Sequence, residues 1–136
     1  MTWESHMNSV RIALAALGVA AASAAAAGDF DGSKLLLCAP VEAIDCVPGV
    51  PCVGDTPGEI GAPAFMRIDV AKKVVIGPKR TAPIASVEKT ETHVLLQGVE
   101  LGHAWAIALE QESGQMTATL TNGDGAFVLF GSCTPL

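Results

Sequence analysis

Tyrosine is absent from the 136 residues, aromatic side chains make up only 4% of them, and histidine occurs three times. Basic residues are scarce as well: 8 lysines and arginines stand against 14 aspartates and glutamates, for a net charge of −6. The few cations form no cluster. An acidic chain without a basic patch argues against nucleic acid or an anionic lipid surface as partner. There is no heptad pattern and no internal repeat beyond hairpin-like segments, which excludes coiled-coil and solenoid architectures.

Motifs for catalysis and cofactors are missing too. Without C-x-x-C there is no cysteine pair at zinc-ligand spacing, and without C-x-x-C-H there is no attachment point for covalent haem. G-x-S-x-G, the strand-to-helix turn that exposes a nucleophilic serine, does not occur. Asn122-Gly123-Asp124-Gly125 lacks the regularly spaced acids and terminal glutamate of a calcium loop, so it reads as a hairpin turn. The carboxylate pairs Glu110/Glu112 and Glu88/Glu91 fall at expected turns and read as solvated charges rather than an acid/base dyad. No catalytic residue, metal ligand or cofactor site is assigned, and a non-enzymatic role is expected.

What is present begins with a leader. Arg11 precedes the apolar run Ile12–Val19, and an alanine-rich stretch ends at Ala25-Ala26-Ala27 before Gly28-Asp29. This is the charged, apolar and small-residue order of a secretory signal peptide, expected over 1–27, with Met1 or Met7 as start. The run is too short and too alanine-rich for a convincing membrane span. Leu35-Leu36-Leu37-Cys38 lies too far beyond it, with leucine before the cysteine, to be a lipidation site. Glu4 and Arg11 leave with the leader, so the balance of −6 persists in the single domain expected over 28–136. Removal of the leader leaves no membrane partner, and the expected location is periplasmic or secreted.

The four cysteines, Cys38, Cys46, Cys52 and Cys133, fit this compartment, since a small exported domain uses an even cysteine count for disulfides. Three connectivities are open. The expected one joins Cys46 to Cys52 across the V-P-G-V-P loop and Cys38 to Cys133 between the first and last strands.

His103–Glu110, H-A-W-A-I-A-L-E, sets the architecture. Side chains alternate faces along a strand, so Trp105, Ile107 and Leu109 share a bulky face and Ala104, Ala106 and Ala108 a thin one. A hairpin loop at 111–114 sets Leu109 opposite Met116, Ile107 opposite Ala118 and Trp105 opposite Leu120. A tight turn at Leu101-Gly102 sets Trp105 opposite Gly98, Ile107 opposite Leu96 and Leu109 opposite Val94. A turn at 122–125 sets Leu120 opposite Phe127 and Ala118 opposite Leu129. A slip of one residue would invert every face, so three turns agreeing on one apolar side fix the parity.

Around this core, Leu35–Cys46 reads as a first strand broken at Pro40, and 47–63 as a Pro/Gly-rich loop. Phe65–Val70 and Val74–Ile76 read as strands, and Ala82–Lys89 as the weakest, with Ala85 and Val87 inward. The fold class expected is all-β: an antiparallel meander of about eight strands forming a small up-and-down β-barrel, with an open sheet or β-sandwich as alternative. Trp105 is expected to cover the bare backbone of Gly98. His93 and His103 are expected to form exposed cross-strand pairs with Glu110 and Glu100.

Phe127–Phe130 is apolar on both faces. Val128 and Phe130 point outward beside the Ala/Thr stripe, either exposed or covered by the 47–63 loop or the N-terminal segment. The first functional expectation is therefore an exported protein that binds a protein partner, or itself, through Thr117, Thr119, Val128 and Phe130. The alternatives are a carrier of a small hydrophobic ligand in the barrel interior, and an inhibitor of an extracellular hydrolase. The bulk of the inward residues predicts a filled interior, which weighs against the carrier.

Overall fold

The computed structural model describes residues 28–136; the leader expected over 1–27 lies outside them. Among the described residues there are ten strands and no helix. The strands are β1 (Leu36–Cys46), β2 (Val53–Asp55), β3 (Met66–Asp69), β4 (Val74–Ile76), β5 (Thr81–Pro83), β6 (Ser86–Lys89), β7 (His93–Glu100), β8 (His103–Glu110), β9 (Gln115–Thr121) and β10 (Ala126–Pro135). Nine of them form one curled antiparallel sheet in the order β5-β4-β3-β1-β10-β9-β8-β7-β6, and β2 adds to β1. The short β2, inside a segment expected to be loop throughout, pairs Ile44 with Gly54.

The register of β7 to β10 is the one the alternation demands. Trp105 lies opposite Gly98 and Leu120, Ile107 opposite Leu96 and Ala118, and Leu109 opposite Val94 and Met116. β10 sets Phe127 opposite Leu120 and Leu129 opposite Ala118. The turn between β7 and β8 has positive φ at both central residues, Leu101 at 47° and Gly102 at 79°. That geometry suits a two-residue hairpin because its twist matches the strands, but a leucine is strained in it.

β1 passes between β10 and β3, so it joins the two ends of the chain within the sheet. Its pairing with β10 shifts between Pro40 and Glu42. Proline has no N–H to donate, and the extra residue, Val41, is pushed into solvent. The Cys38–Cys133 disulfide joins β1 to β10, and Cys46–Cys52 staples the loop after β1. Both pairings are the expected ones, and disulfides are compatible with an oxidising extracellular compartment. No helix among the described residues is long and apolar enough to cross a membrane.

The two edge strands of the curled sheet are consecutive in the chain. Between them, the Ile84 N–H donates to Lys73 O (2.9 Å) and the Ala85 N–H to Gln97 O (2.8 Å). The segment 81–89 therefore pairs with β4 in its first part and with β7 in its second, forming the seam. This corrects the expected inward pair: Ile84 is buried, whereas Ala85 and Val87 are both exposed. Ala82 opposes Val75 and Val87 opposes Leu96, so the alternation resets by one residue at the link.

One end of the barrel is solid. Leu36, Ile68, Val94, Leu96, Leu109 and Met116 are fully buried there, each stabilising by roughly 1.5–3 kcal/mol through burial. The N-terminal segment plugs this end with Phe30, which packs against the core. A Cβ at Gly114 would lie 2.9 Å from Cys133 O and still closer to the Phe30 ring, so only glycine leaves room for the plug. Asp31 ties the segment into a turn, its carboxylate accepting the Ser33 N–H (2.9 Å). Hydrogen bonds from the Ser33 side chain and backbone hold that carboxyl below its usual range, with a smaller contribution from Lys89.

Candidate functional site: an apolar cup at the open end

The opposite end of the barrel is not filled. A cavity of about 500 Å³ enters between the strand ends and runs down to Ile107, Ala118 and Leu129. The expectation of a packed interior fails here because two inward positions that line the cavity carry little bulk: Ala82 on β5 and Ala118 on β9. Ala118 sits between Ile107 and Leu129 in the register, where a large side chain would occupy the cavity.

Each wall comes from a different part of the chain. Trp105 and Ile107 of β8, Leu120 of β9 and Phe127 of β10 form one side, and Met66, Val75 and Ala82 another. The Pro/Gly-rich segment completes the rim. A turn closed by the Ala62 N–H donating to Pro57 O (2.8 Å) carries Ile60, Ala62 and Pro63 to the cup. Thr56 Oγ1 donates to Glu59 Oε2 (2.9 Å) within that turn, and Cys46–Cys52 anchors its base.

Trp105 lies across Gly98, as expected. A Cβ at Gly98 would approach Cε2 of the indole to 2.6 Å and Pro83 O to 2.7 Å. The ring is thus held against β7 and the seam at once. Trp105 is 9% exposed, and its Nε1 is buried with no hydrogen-bond partner, a costly state for an N–H.

Charge is confined to the mouth. Lys79 and Arg80 sit on the β4–β5 loop and Glu100 at the end of β7, with Arg80 Nε 3.4 Å from Glu100 Oε1. Glu100 therefore pairs with Arg80 rather than with His103. The His103 ring is oriented by a chain of bonds. Asn122 Oδ1 accepts the N–H groups of Asp124 (2.8 Å) and Gly125 (3.1 Å), which turns its amide nitrogen toward His103 Nε2 (3.2 Å). An amide nitrogen only donates, so Nε2 presents its lone pair and Nδ1–H faces Leu101 O at 3.2 Å. Both ring nitrogens are engaged. His93, at the solid end, is cross-strand from Glu110, but its Nδ1 lies 2.8 Å from Thr92 Oγ1 while Glu110 accepts from Ser113.

The outer face lies elsewhere. In one cross-strand row Ile44, Val128, Thr119 and Ala106 are neighbours; in the next, Phe130, Thr117, Ala108 and Leu95. Val128 is half-buried and Phe130 is 37% exposed. The two segments expected as covers are employed at the barrel ends, Phe30 in the plug and Ile60 at the cup. Among the described residues no group of three or more histidine, cysteine or acidic side chains is placed to hold a metal ion.

The chain matches no protein-family model, no curated protein and no solved structure.

The residues that sequence reasoning missed are those of the rim: Ile60, Ala62, Lys79, Arg80 and Leu101. They lie on loops, where periodicity carries no signal. The inward Ala118 was the available hint.

Proposed function

We propose that this protein is an exported, non-catalytic binder of a small, largely apolar molecule held in the open end of its barrel. One observation carries the reading: an apolar cup of about 500 Å³ whose charged groups stand only at the mouth. Ligand sites are concave, mostly apolar and a few hundred cubic ångströms in volume, with a small number of polar groups. The plugged end, with its fully buried core, supplies a rigid floor. The leader pattern over 1–27 and the two disulfides support a periplasmic or secreted site of action.

Titration with a neutral fluorescent probe, 1-aminoanthracene, tests it. Saturable binding with a blue-shifted emission is expected, and Ala118→Phe should weaken it at least tenfold by occupying the cup. Cooperative thermal unfolding of the variant confirms that its fold survives. Absence of saturable binding to the parent chain, or full binding by a folded Ala118→Phe, would overturn the reading.

A second reading, association through Thr117, Thr119, Val128 and Phe130, is favoured by the exposure of Phe130 beside a flat row of small residues. Phe130→Asp separates its outcomes. Loss of association in sedimentation with unchanged unfolding supports an interface; unchanged sedimentation removes it.

A further inference from the structure

We infer that the molecule bound in the cup is an anionic amphipath, a long-chain carboxylate or its chemical equivalent, seated with its tail inside and its head at Lys79 and Arg80. The inference rests on the cup reading and adds the chemistry of the ligand's polar end. The cup sorts its lining by depth. Below the mouth it offers Met66, Ile107, Ala118, Leu129 and their neighbours, none of them charged. A uniformly polar molecule would lose its hydration there without replacement.

At the mouth the polar side chains are unequal. Both His103 nitrogens are engaged, by Asn122 and Leu101, and Glu100 is held by Arg80. Lys79 has no ion-pair partner among the described residues, and Arg80 meets Glu100 through Nε. The unmatched capacity is thus donor and cationic, and it calls for a head that accepts hydrogen bonds and carries negative charge. Two of the chain's 8 lysines and arginines stand side by side at this rim, in a protein of net charge −6. Leu101, 66% exposed on the rim and held in its left-handed turn, adds apolar surface where the first methylenes below the head would pass.

The test uses the full chain and four probes below their micelle concentrations, measured by calorimetry: decanoate, dodecanoate, dodecanol and dodecyltrimethylammonium. Dodecanoate is expected to bind about threefold to tenfold more tightly than dodecanol at low salt, with the advantage shrinking in 0.5 M salt through screening. Each two-carbon extension from decanoate to dodecanoate should tighten binding by roughly fifteenfold, as two buried methylenes require. Lys79→Gln should bring dodecanoate down toward the affinity of dodecanol in the parent chain. Lys72→Gln, at the plugged end, should leave dodecanoate binding as it was. If dodecanol binds as well as dodecanoate, or the ammonium binds better, the head-group inference falls and the cup reading stands. If none of the four binds, both fall.

Discussion

Gly98→Ala tests the architecture at its narrowest point. The added Cβ would lie 2.6 Å from Trp105 Cε2 and 2.7 Å from Pro83 O. Both distances are roughly 0.7 Å or more short of an ordinary carbon contact, which begins near 3.4 Å. The indole can tilt, but only into the cup; the Pro83 carbonyl is backbone and can move only by displacing β5 at the seam. Overpacking of this kind costs about 1–3 kcal/mol. Against it, alanine in a strand gains roughly 0.5–1 kcal/mol over glycine by losing less backbone freedom. The net expectation is destabilisation by about 1–2 kcal/mol, or a fall in Tm of roughly 5–10 °C for a domain of this size. Indole emission should change in the same variant, since the ring is the group displaced. Gly54→Ala is the control, because a Cβ there meets nothing within 4 Å. A Gly98→Ala protein as stable as the parent, with unchanged emission, would mean that Trp105 does not lie across β7 and that the seam is not where the register puts it.

The other predictions concern separate parts of the molecule. Trp105→Ala should cost about 3–5 kcal/mol in a denaturant titration, whereas His93→Ala should cost well under about 1 kcal/mol; equal losses would contradict the inward parity of β8. Leu101→Asn should stabilise by roughly 0.5–1 kcal/mol, since asparagine tolerates a left-handed turn better, and a fall in Tm would refute the strain argument. Loss of the Cys38–Cys133 bridge, which spans 95 residues, should cost about 4.5 kcal/mol against about 2 kcal/mol for Cys46–Cys52, which spans 6. The reverse order in paired serine variants would show that chain entropy does not govern either bridge. Nitrogen NMR should find His103 as the Nδ1–H tautomer, and a proton on Nε2 would break the Asn122 assignment.

Much of this fold could be read from alternation alone, because β7 to β10 are long, antiparallel and linked by short turns. Trp105, Ile107 and Leu109 admit only one register with their neighbours, and the structure adopts it. The Cys38–Cys133 pairing followed from setting the first strand beside the last, and Cys46–Cys52 from the shortness of the V-P-G-V-P loop between them. Short strands with few side chains to compare were harder. The partner change at Ile84–Ala85 leaves no mark in the residue pattern, so alternation points Ala85 and Val87 inward where the structure buries Ile84 and exposes both. The cup was illegible for another reason. Inward bulk counted along the strands predicts a filled interior, but the bulk is concentrated toward one end, and only the three-dimensional placement of Ala82 and Ala118 reveals the space. The partners of His93 and His103 were decided by turn residues, Thr92 and Asn122, which cross-strand reasoning does not weigh.

The bond between Cys38 and Cys133 has a consequence for the chain as a covalent object. It converts everything from Cys38 in β1 to Cys133 near the end of β10 into a ring, with the Pro/Gly-rich rim loop, the β4–β5 loop and every hairpin turn inside it. Cutting any one peptide bond between the two cysteines opens the ring without dividing the molecule. The piece before the cut and the piece after it stay tethered at the plugged end, beside the floor of the cup. A second, smaller ring at 46–52 does the same for the exposed stretch that precedes the rim turn. A protease that nicks a loop of this protein between the two cysteines would therefore leave one particle of unchanged mass plus a water. The nick would show on a gel only after reduction.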